Sequence, residues 1–182
     1  MAQKLRISGV VRESIVDGPG LRFVVFCQGC PHHCPGCHNP QTHDFAGGYD
    51  IDLDKIVNAV AENPLLQGVT FSGGEPFCQA DAFAELARRL KAIPGMKLNI
   101  MSYSGWTYEQ LCEKAKTDDG VRDLLALSDY LVDGPFILAE RDLAMRYRGS
   151  RNQRYIDLAR TRVAGKVVAA AEERKSARER YR

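Results

Sequence analysis

Apolar residues along the chain recur at two different spacings, and the order of these spacings predicts alternating strands and helices. Alternating or continuous apolar runs, typical of strands, occur over residues 5–11, 21–26, 69–71, 97–101 and 130–132. Apolar residues three or four positions apart, typical of amphipathic helices, occur over 51–60, 80–93, from Thr107 onward and over 124–127. Thr107 also precedes Glu109 and Gln110, which is typical of a helix N-terminus.

This order of elements predicts an α/β fold with a mostly parallel sheet, because right-handed helical crossovers join successive parallel strands. The chain has 182 residues, whereas a closed eight-stranded (β/α) barrel typically needs about 250. A complete barrel is therefore not expected. Three segments, at 27–38, 72–75 and 103–105, directly follow predicted strands. In a parallel sheet, segments in that position meet at one edge, where ligands bind.

The composition is that of a globular domain without a membrane anchor. Hydrophobic residues make up 45% of the chain, charged residues 26%, and the formal net charge is +2. No apolar run approaches the roughly 20 residues of a membrane span, and the first residues lack the apolar stretch of a signal peptide. We therefore expect a cytoplasmic protein that does not bind membranes.

The net charge is near zero, but basic and acidic side chains are distributed unequally along the chain. Residues 1–140 carry 12 basic and 18 acidic side chains, whereas residues 141–182 carry 13 and 5. We expect a main domain over 1–160 and a basic C-terminal helix or tail over 161–182. Such a tail is compatible with an acidic partner or with a solvated helical face. Because aromatic residues are not interleaved with the basic ones, no direct binding of nucleic acid is expected.

Four of the six cysteines, Cys27, Cys30, Cys34 and Cys37, lie within eleven consecutive positions. Thiols in the cytoplasm stay reduced, so metal or redox chemistry is favoured over disulfides. Zinc is one alternative, but the three residues between the two Cys-x2-Cys pairs are fewer than the dozen or more usual in structural zinc sites. The spacing also differs from the Cys run of bacterial ferredoxins.

The spacing Cys30-x3-Cys34-x2-Cys37, followed by His38, resembles the cysteine motif of the radical S-adenosylmethionine (SAM) superfamily. The segment 72–76, which reads Ser-Gly-Gly-Glu-Pro, resembles the Gly-Gly-Glu segment of the same superfamily. The resemblance implies a partial (β/α) barrel and a [4Fe-4S] cluster held by three thiolates. One iron then stays open for the amino and carboxylate groups of SAM, as catalytic metal sites keep an open position.

The resemblance also implies which residues form the site. The expected cluster ligands are Cys30, Cys34 and Cys37. The residues expected around SAM are Gly36, Cys37, His38, Ser72, Gly73, Gly74 and Glu75. The glycines would let the backbone approach the ligand, and the carboxylate would accept hydrogen bonds from its ammonium group. Tyr103 and Asp133, at the ends of later strands, are further candidates that are equally compatible with structural roles.

The other members of the cysteine segment are interpreted as structural. Cys27 ends a strand, and we interpret it as a buried thiol rather than a fourth ligand. The histidines His32, His33 and His43 are interpreted as loop or surface residues.

Further segments resemble the glycyl-radical-enzyme activases, and most of all the group that activates anaerobic (class III) ribonucleoside-triphosphate reductase. These segments lie at 14–22, 26–30, 37–42, 103–109, 131–136 and 148–154. The resemblance implies that a 5′-deoxyadenosyl radical, released from SAM by an electron from the cluster, abstracts a hydrogen atom from a glycine of the reductase. A low-potential electron donor is also implied, and Arg148 and Arg154 are candidates for docking the partner or a nucleotide.

Two alternatives stay open at this point. One is an activase of another glycyl radical enzyme, of the pyruvate formate-lyase type. The other is a zinc-binding interaction module without catalytic activity. The sequence departs from the family pattern at Cys27 and Arg151, and no known motif covers the chain beyond residue 159.

Overall fold

The computed structural model describes residues 3–171. Its strands are β1 (Lys4–Ser14), β2 (Arg22–Cys27), β3 (Tyr49–Asp52), β4 (Gly68–Gly73), β5 (Asn99–Tyr103), β6 (Tyr130–Asp133) and β7 (Arg154–Asp157). Its α-helices are α1 (Leu53–Ala61), α2 (Ala80–Lys91), α3 (Tyr108–Lys114), α4 (Asp119–Leu127) and α5 (Leu158–Ala164). Short 3-10 turns lie at Pro40–Thr42, Pro76–Gln79 and Leu138–Glu140.

The seven strands form one mixed sheet in the order β3-β1-β2-β4-β5-β6-β7. The four neighbours β2, β4, β5 and β6 are parallel, and helices connect each to the next. β1 and β3 pair antiparallel on one side of them, and β7 pairs antiparallel with β6 on the other. The parallel strands therefore end at one edge, with Cys27, Gly73, Tyr103 and Asp133 as their last residues.

The predicted α/β architecture is confirmed, and the predicted parallel pairing is confirmed for the centre of the sheet. The outer strands make the sheet mixed, which the hydrophobic pattern does not predict. β3 and β7 have only four residues each, too few for a clear alternation. The pattern predicts β1 as a strand, but it contains no signal for antiparallel pairing with β2.

Alternation along the strands separates two apolar layers on opposite faces of the sheet. One face packs against helices α1, α2 and α4 and includes Phe23, Val25, Val69, Phe71 and Ile100. The other face carries Met101, Val132 and Tyr155, with Tyr103, Tyr130 and Tyr147 packed against them. We call this second layer the tyrosine face.

A buried cation, Arg22, lies near the tyrosine face and has no exposed surface. Its guanidinium donates to Thr70 Oγ1 at 2.6 Å, to Asn99 Oδ1 at 2.7 Å and to the carbonyl of Pro19 at 3.0 Å. Burial lowers the pKa of Arg22 to about 10, so the group stays charged at neutral pH. These bonds tie the loop before β2 to the starts of β4 and β5.

The last described residues return to the sheet. α5 ends at Gly165, whose φ of 64° is the left-handed conformation common at helix C-termini. Ala170 N then donates to the Tyr155 carbonyl at 2.8 Å. The domain boundary expected at residue 160 thus falls inside α5, and residues 172–182 of the predicted basic tail lie outside the described residues. Within residues 3–171, no helix has the length and apolar character needed to cross a membrane.

Candidate functional site

The segment with the clustered cysteines, which we call the cysteine loop (residues 28–44), begins where β2 ends. Its two ends are joined by backbone bonds. Gly29 N donates to the Thr42 carbonyl at 2.8 Å, and Cys30 N donates to the His43 carbonyl at 3.2 Å. The Gln28 side chain adds a bond to the Asp44 carbonyl at 2.6 Å. Hydrogen bonds between protein groups therefore hold the two ends of the cysteine loop together.

All three predicted cluster ligands are free thiols on the cysteine loop: Cys30, Cys34 and Cys37. Asn39 N donates to Cys37 Sγ at 3.4 Å. Burial raises the pKa of Cys30, whereas the His32 backbone N–H, which bonds to this thiol, lowers it. Backbone N–H groups aimed at sulfur stabilise thiolates, the form that binds iron.

Cys27 differs from these three thiols. It has no exposed surface and belongs to the apolar core between sheet and helices. Burial, and after it the charge of Glu75, raises the pKa of Cys27 well above that of an ordinary thiol. Its position agrees with the interpretation of a buried structural thiol.

Within residues 3–171, no three His, Cys, Asp or Glu side chains converge on one point as the ligands of a single metal ion do. The thiolates of a [4Fe-4S] cluster bind different iron atoms, so that convergence is not what a cluster requires.

The Gly73-Gly74 pair brings two backbone segments into direct contact. Gly73 has a φ of +90°, and a Cβ there would lie 2.7 Å from the backbone of β2. A Cβ on Gly74 would overlap the Gly29 carbonyl oxygen. Gly74 N donates to the Cys27 carbonyl and Glu75 N to the Gly29 carbonyl, both at 2.8 Å. Besides the approach of a ligand that the sequence predicts, these glycines therefore allow close contact with the backbone that leads into the cysteine loop.

The Glu75 carboxylate joins several segments and has no exposed surface. Its Oε1 accepts from Phe77 N at 3.1 Å. Its Oε2 contacts Gly105 N at 2.8 Å, Ser104 Oγ at 3.1 Å and His32 Nε2 at 2.7 Å. A buried carboxylate is stable only with such partners. It connects the ends of β4 and β5 with the cysteine loop.

These bonds show that the three motif segments meet at one edge of the sheet, as their positions after predicted strands implied. The cysteine loop contributes His32, the Gly-Gly-Glu segment contributes Glu75, and the segment after β5 contributes Ser104 and Gly105.

On the other side of the cysteine loop, the segment after β6 contacts two predicted SAM residues. The His38 ring lies 5.0 Å from the Phe136 ring between centroids. Gly36 has a φ of +73°, and a Cβ there would lie 2.8 Å from the Leu138 side chain. Both Gly36 and His38 remain exposed.

Tyr103 and Asp133, the further candidates, already have protein partners. Tyr103 donates its hydroxyl to the Tyr147 carbonyl at 2.6 Å, and burial raises its pKa. Asp133 is only 1% exposed and accepts from Tyr108 N at 2.7 Å and from Arg154 Nε at 3.0 Å. Arg154, a sequence candidate for docking, therefore holds two elements together. Ser72, another predicted SAM residue, is half-buried and is the penultimate residue of β4, near the same edge of the sheet.

His32 is the site residue that the sequence did not indicate. The sequence predicts a loop or surface residue rather than a ligand, and His32 does lie on the cysteine loop, but its side chain also contacts a buried carboxylate 43 positions away. No local pattern carries a contact over that separation. The signal available was its place between two predicted ligands, Cys30 and Cys34.

Comparison with known proteins agrees with this geometry. Residues 16–156 match the model of a 4Fe-4S single cluster domain family. An anaerobic ribonucleoside-triphosphate reductase-activating protein from Vibrio cholerae is 35% identical over 145 residues, covering 76% of this chain and 89% of that protein. The chain belongs to the family of these activating proteins. The activase resemblance read from the motifs is thereby confirmed, together with an iron-sulfur cluster in place of zinc.

Two further relatives differ in how much of this chain they match. The anaerobic ribonucleoside-triphosphate reductase-activating protein of Escherichia coli K12 is 34% identical over 146 residues, which cover 76% of this chain and 90% of that protein. A pyruvate formate-lyase-activating enzyme from Clostridium pasteurianum is 37% identical over 91 residues, which cover 47% of this chain and 38% of that enzyme. The similarity to reductase-activating proteins thus extends over much more of the chain.

Proposed function

We propose that this protein activates an anaerobic ribonucleoside-triphosphate reductase by reductive cleavage of SAM at a [4Fe-4S] cluster. One observation carries the proposal. In a chain of the activating-protein family, the Glu75 carboxylate joins the cysteine loop, the Gly-Gly-Glu segment and the segment after β5.

The residues present fit a cluster with one open iron. Cys30, Cys34 and Cys37 would hold it, and the N–H groups near Cys30 and Cys37 would stabilise their thiolates. Cys27 stays in the apolar core and would not complete the ligand set. The open coordination position would then take the amino acid end of SAM.

SAM would lie between the cysteine loop and the ends of the parallel strands. Gly36, Cys37 and His38 would line one side, and Ser72, Gly73, Gly74 and Glu75 the other, with Tyr103 and Asp133 at the ends of the next strands. Because the Glu75 carboxylate is occupied by protein donors, it would position the segment, and the Ser72 hydroxyl and backbone carbonyls would face the ligand.

A cluster bound here would supply the electron for reductive cleavage of SAM, the chemistry by which a hydrogen atom would be removed from a glycine of the reductase. The chain's own residues would hold and orient the two groups, as proteins do for cofactors that carry difficult chemistry. A low-potential donor would supply the electron, and cytoplasmic conditions would keep the thiols reduced.

We also propose that the sheet is a partial (β/α) barrel of the radical SAM type. The four parallel strands, the helices on one face and the concentration of motifs at the C-terminal strand ends support this architecture.

Anaerobic reconstitution with iron and sulfide tests the proposal. The wild-type protein is expected to become brown and to contain about four irons per chain, the iron content of one [4Fe-4S] cluster. It is also expected to cleave SAM to 5′-deoxyadenosine. Cys30→Ala should lose iron and SAM cleavage together, because the cluster loses one of three thiolates. Cys112→Ala, in α3, is the matched control and should keep both.

An active Cys30→Ala protein, or a wild-type protein that binds zinc and no iron, would contradict the proposal. Activation assays with the reductase and with pyruvate formate-lyase distinguish the two partner classes. A glycyl radical signal that forms on pyruvate formate-lyase but not on the reductase would assign the protein to the alternative activase type.

A further inference from the structure

We propose that His32 is a positioning residue, which fixes the cysteine loop against the Gly-Gly-Glu segment through the Glu75 carboxylate. Its link to SAM binding rests on the proposed function above. The link between the two segments does not, because it involves only protein groups, the His32 imidazole and the Glu75 carboxylate.

The contact has the geometry of a strong hydrogen bond. His32 Nε2 lies 2.7 Å from Glu75 Oε2, and the two side chains are 16% and 0% exposed. An ionised carboxylate only accepts hydrogen bonds, so we assign the Nε2 proton to the imidazole. Hydrogen bonds to charged groups in buried surroundings are stronger than those between neutral groups.

The His32 ring is held in place by the segment after β5. Its centroid lies 4.7 Å from that of Trp106, with the rings edge to face. Gly105 lies directly against the ring, where a Cβ would overlap it. Lys114 Nζ lies over the Trp106 ring, 4.3 Å from its centroid. These protein contacts therefore fix the orientation of the imidazole toward Glu75.

The position of His32 within the cysteine loop explains how this hydrogen bond affects the site. Backbone bonds from Gly74 and Glu75 hold the start of the cysteine loop, and bonds to Thr42 and His43 hold its end. His32 lies between these ends, two residues after Cys30 and two before Cys34. Its bond therefore sets the distance between the cluster ligands and the backbone that would receive SAM.

The test compares His32→Leu, which removes the donor, with His32→Gln, which keeps an N–H donor on a side chain of similar reach. His33→Gln is the matched control, because His33 is an exposed neighbour in the same loop and contacts only the ring of His43 among the ring contacts described. Metal-free protein is first analysed by hydrogen exchange. Amides of residues 28–38 and 102–106 should exchange about tenfold faster in His32→Leu, and at the wild-type rate in the other two variants.

Reconstituted protein is then analysed for iron content and for SAM affinity by equilibrium binding. All variants should keep wild-type iron content, since none changes a ligand. The Kd for SAM should rise about tenfold in His32→Leu and by less than about twofold in His32→Gln and His33→Gln.

The assignment would be overturned if His32→Leu had the same amide exchange rates and the same SAM affinity as the wild-type protein. A loss of iron in His32→Leu, which would make His32 part of cluster assembly, would also overturn it, as would a His32→Gln variant as impaired as His32→Leu. A wild-type protein that binds no SAM contradicts the proposed function instead, and the exchange measurement on metal-free protein still decides the role of the hydrogen bond.

Discussion

At the scale of single residues, the site depends on contacts between protein groups as well as on groups that would face a ligand. Glu75 is fully buried and bonded by protein donors, yet it joins three segments that are distant in sequence. Gly73 and Gly74 carry no side chain because the backbone of β2 and of Gly29 occupies the space. The residues of the Gly-Gly-Glu segment therefore also hold the neighbouring segments of the candidate site together.

The contact at Gly74 predicts a specific stability loss. Gly74→Ala places a Cβ onto the Gly29 carbonyl oxygen, and such overpacking costs about 1–3 kcal/mol of the free energy of unfolding. Gly9→Ala is the control, because a Cβ on Gly9 meets no atom within 4 Å. Urea unfolding of the metal-free protein measures both, and equal stabilities of the two variants would contradict the close contact.

At the scale of elements, the start of α3 is fixed from two directions. Thr107 and Gln110 form a capping box at its N-terminus. Arg154 of β7 reaches Glu109 of α3 with Nη2 to Oε2 at 2.7 Å, and the same guanidinium pairs with the buried Asp133 of β6. α3, β6 and β7 are thus joined next to the edge that carries the site.

The Arg154–Glu109 pair predicts a pH dependence of stability. Hydrogen bonds from Arg154 lower the pKa of Glu109 to about 2, below its ordinary value. The folded state therefore favours the carboxylate, and the resulting stabilisation is complete above about pH 4.5 and is lost as the pH falls toward 2. Because the Glu109 side chain is 60% exposed, we expect Glu109→Gln to cost only about 0.5–1 kcal/mol at pH 7.

Urea unfolding of wild-type protein and Glu109→Gln at pH 7 and pH 3 checks this prediction. The difference in unfolding free energy should shrink at pH 3. Glu113→Gln, on the same helix but paired only with Lys116 among the ion pairs of residues 3–171, should show a smaller difference at both values. A Glu109 difference that grows toward pH 3 would contradict the sign of the shift.

At the scale of the whole molecule, the tyrosine face is partly covered by a hairpin at residues 140–151. Arg151 N donates to the Glu140 carbonyl at 2.9 Å, and Asp142 N to the Gly149 carbonyl at 3.1 Å. Tyr147 in this hairpin has a φ of 62°, an unfavourable value for a bulky side chain. Its carbonyl is held by the Tyr103 hydroxyl, so the hairpin is attached to the centre of the sheet.

Tyr103→Phe removes this attachment and should loosen the hairpin without unfolding the sheet. We expect amides of residues 142–149 to exchange about tenfold faster, with a global loss of roughly 1 kcal/mol. Tyr49→Phe, on exposed β3, is the control and should change neither. Hydrogen exchange followed by mass spectrometry measures both variants, and unchanged exchange in Tyr103→Phe would show that other contacts hold the hairpin.

The hydrophobic pattern was sufficient to predict the central architecture, because buried parallel strands and amphipathic helices each have a clear period. It could not predict β3 or β7, because four residues are too few to show a clear alternation and each of these strands depends on pairing with its neighbour, β1 or β6. Motif spacing predicted the candidate ligands on the cysteine loop and the Gly-Gly-Glu segment, and the structure brings these two segments to one edge of the sheet. Neither the hydrophobic pattern nor the motif spacing predicts the His32–Glu75 hydrogen bond, since it depends on the distance between two loops in the folded chain.

The ladder of backbone bonds between β2 and β4 continues into Gly74 and Glu75, so the base of the cysteine loop is an extension of the sheet. Its stability should therefore follow that of the sheet rather than that of a surface loop. Denaturant concentrations that leave the pairing of β2 with β4 intact should accordingly leave the amides of Gly74 and Glu75 protected from hydrogen exchange.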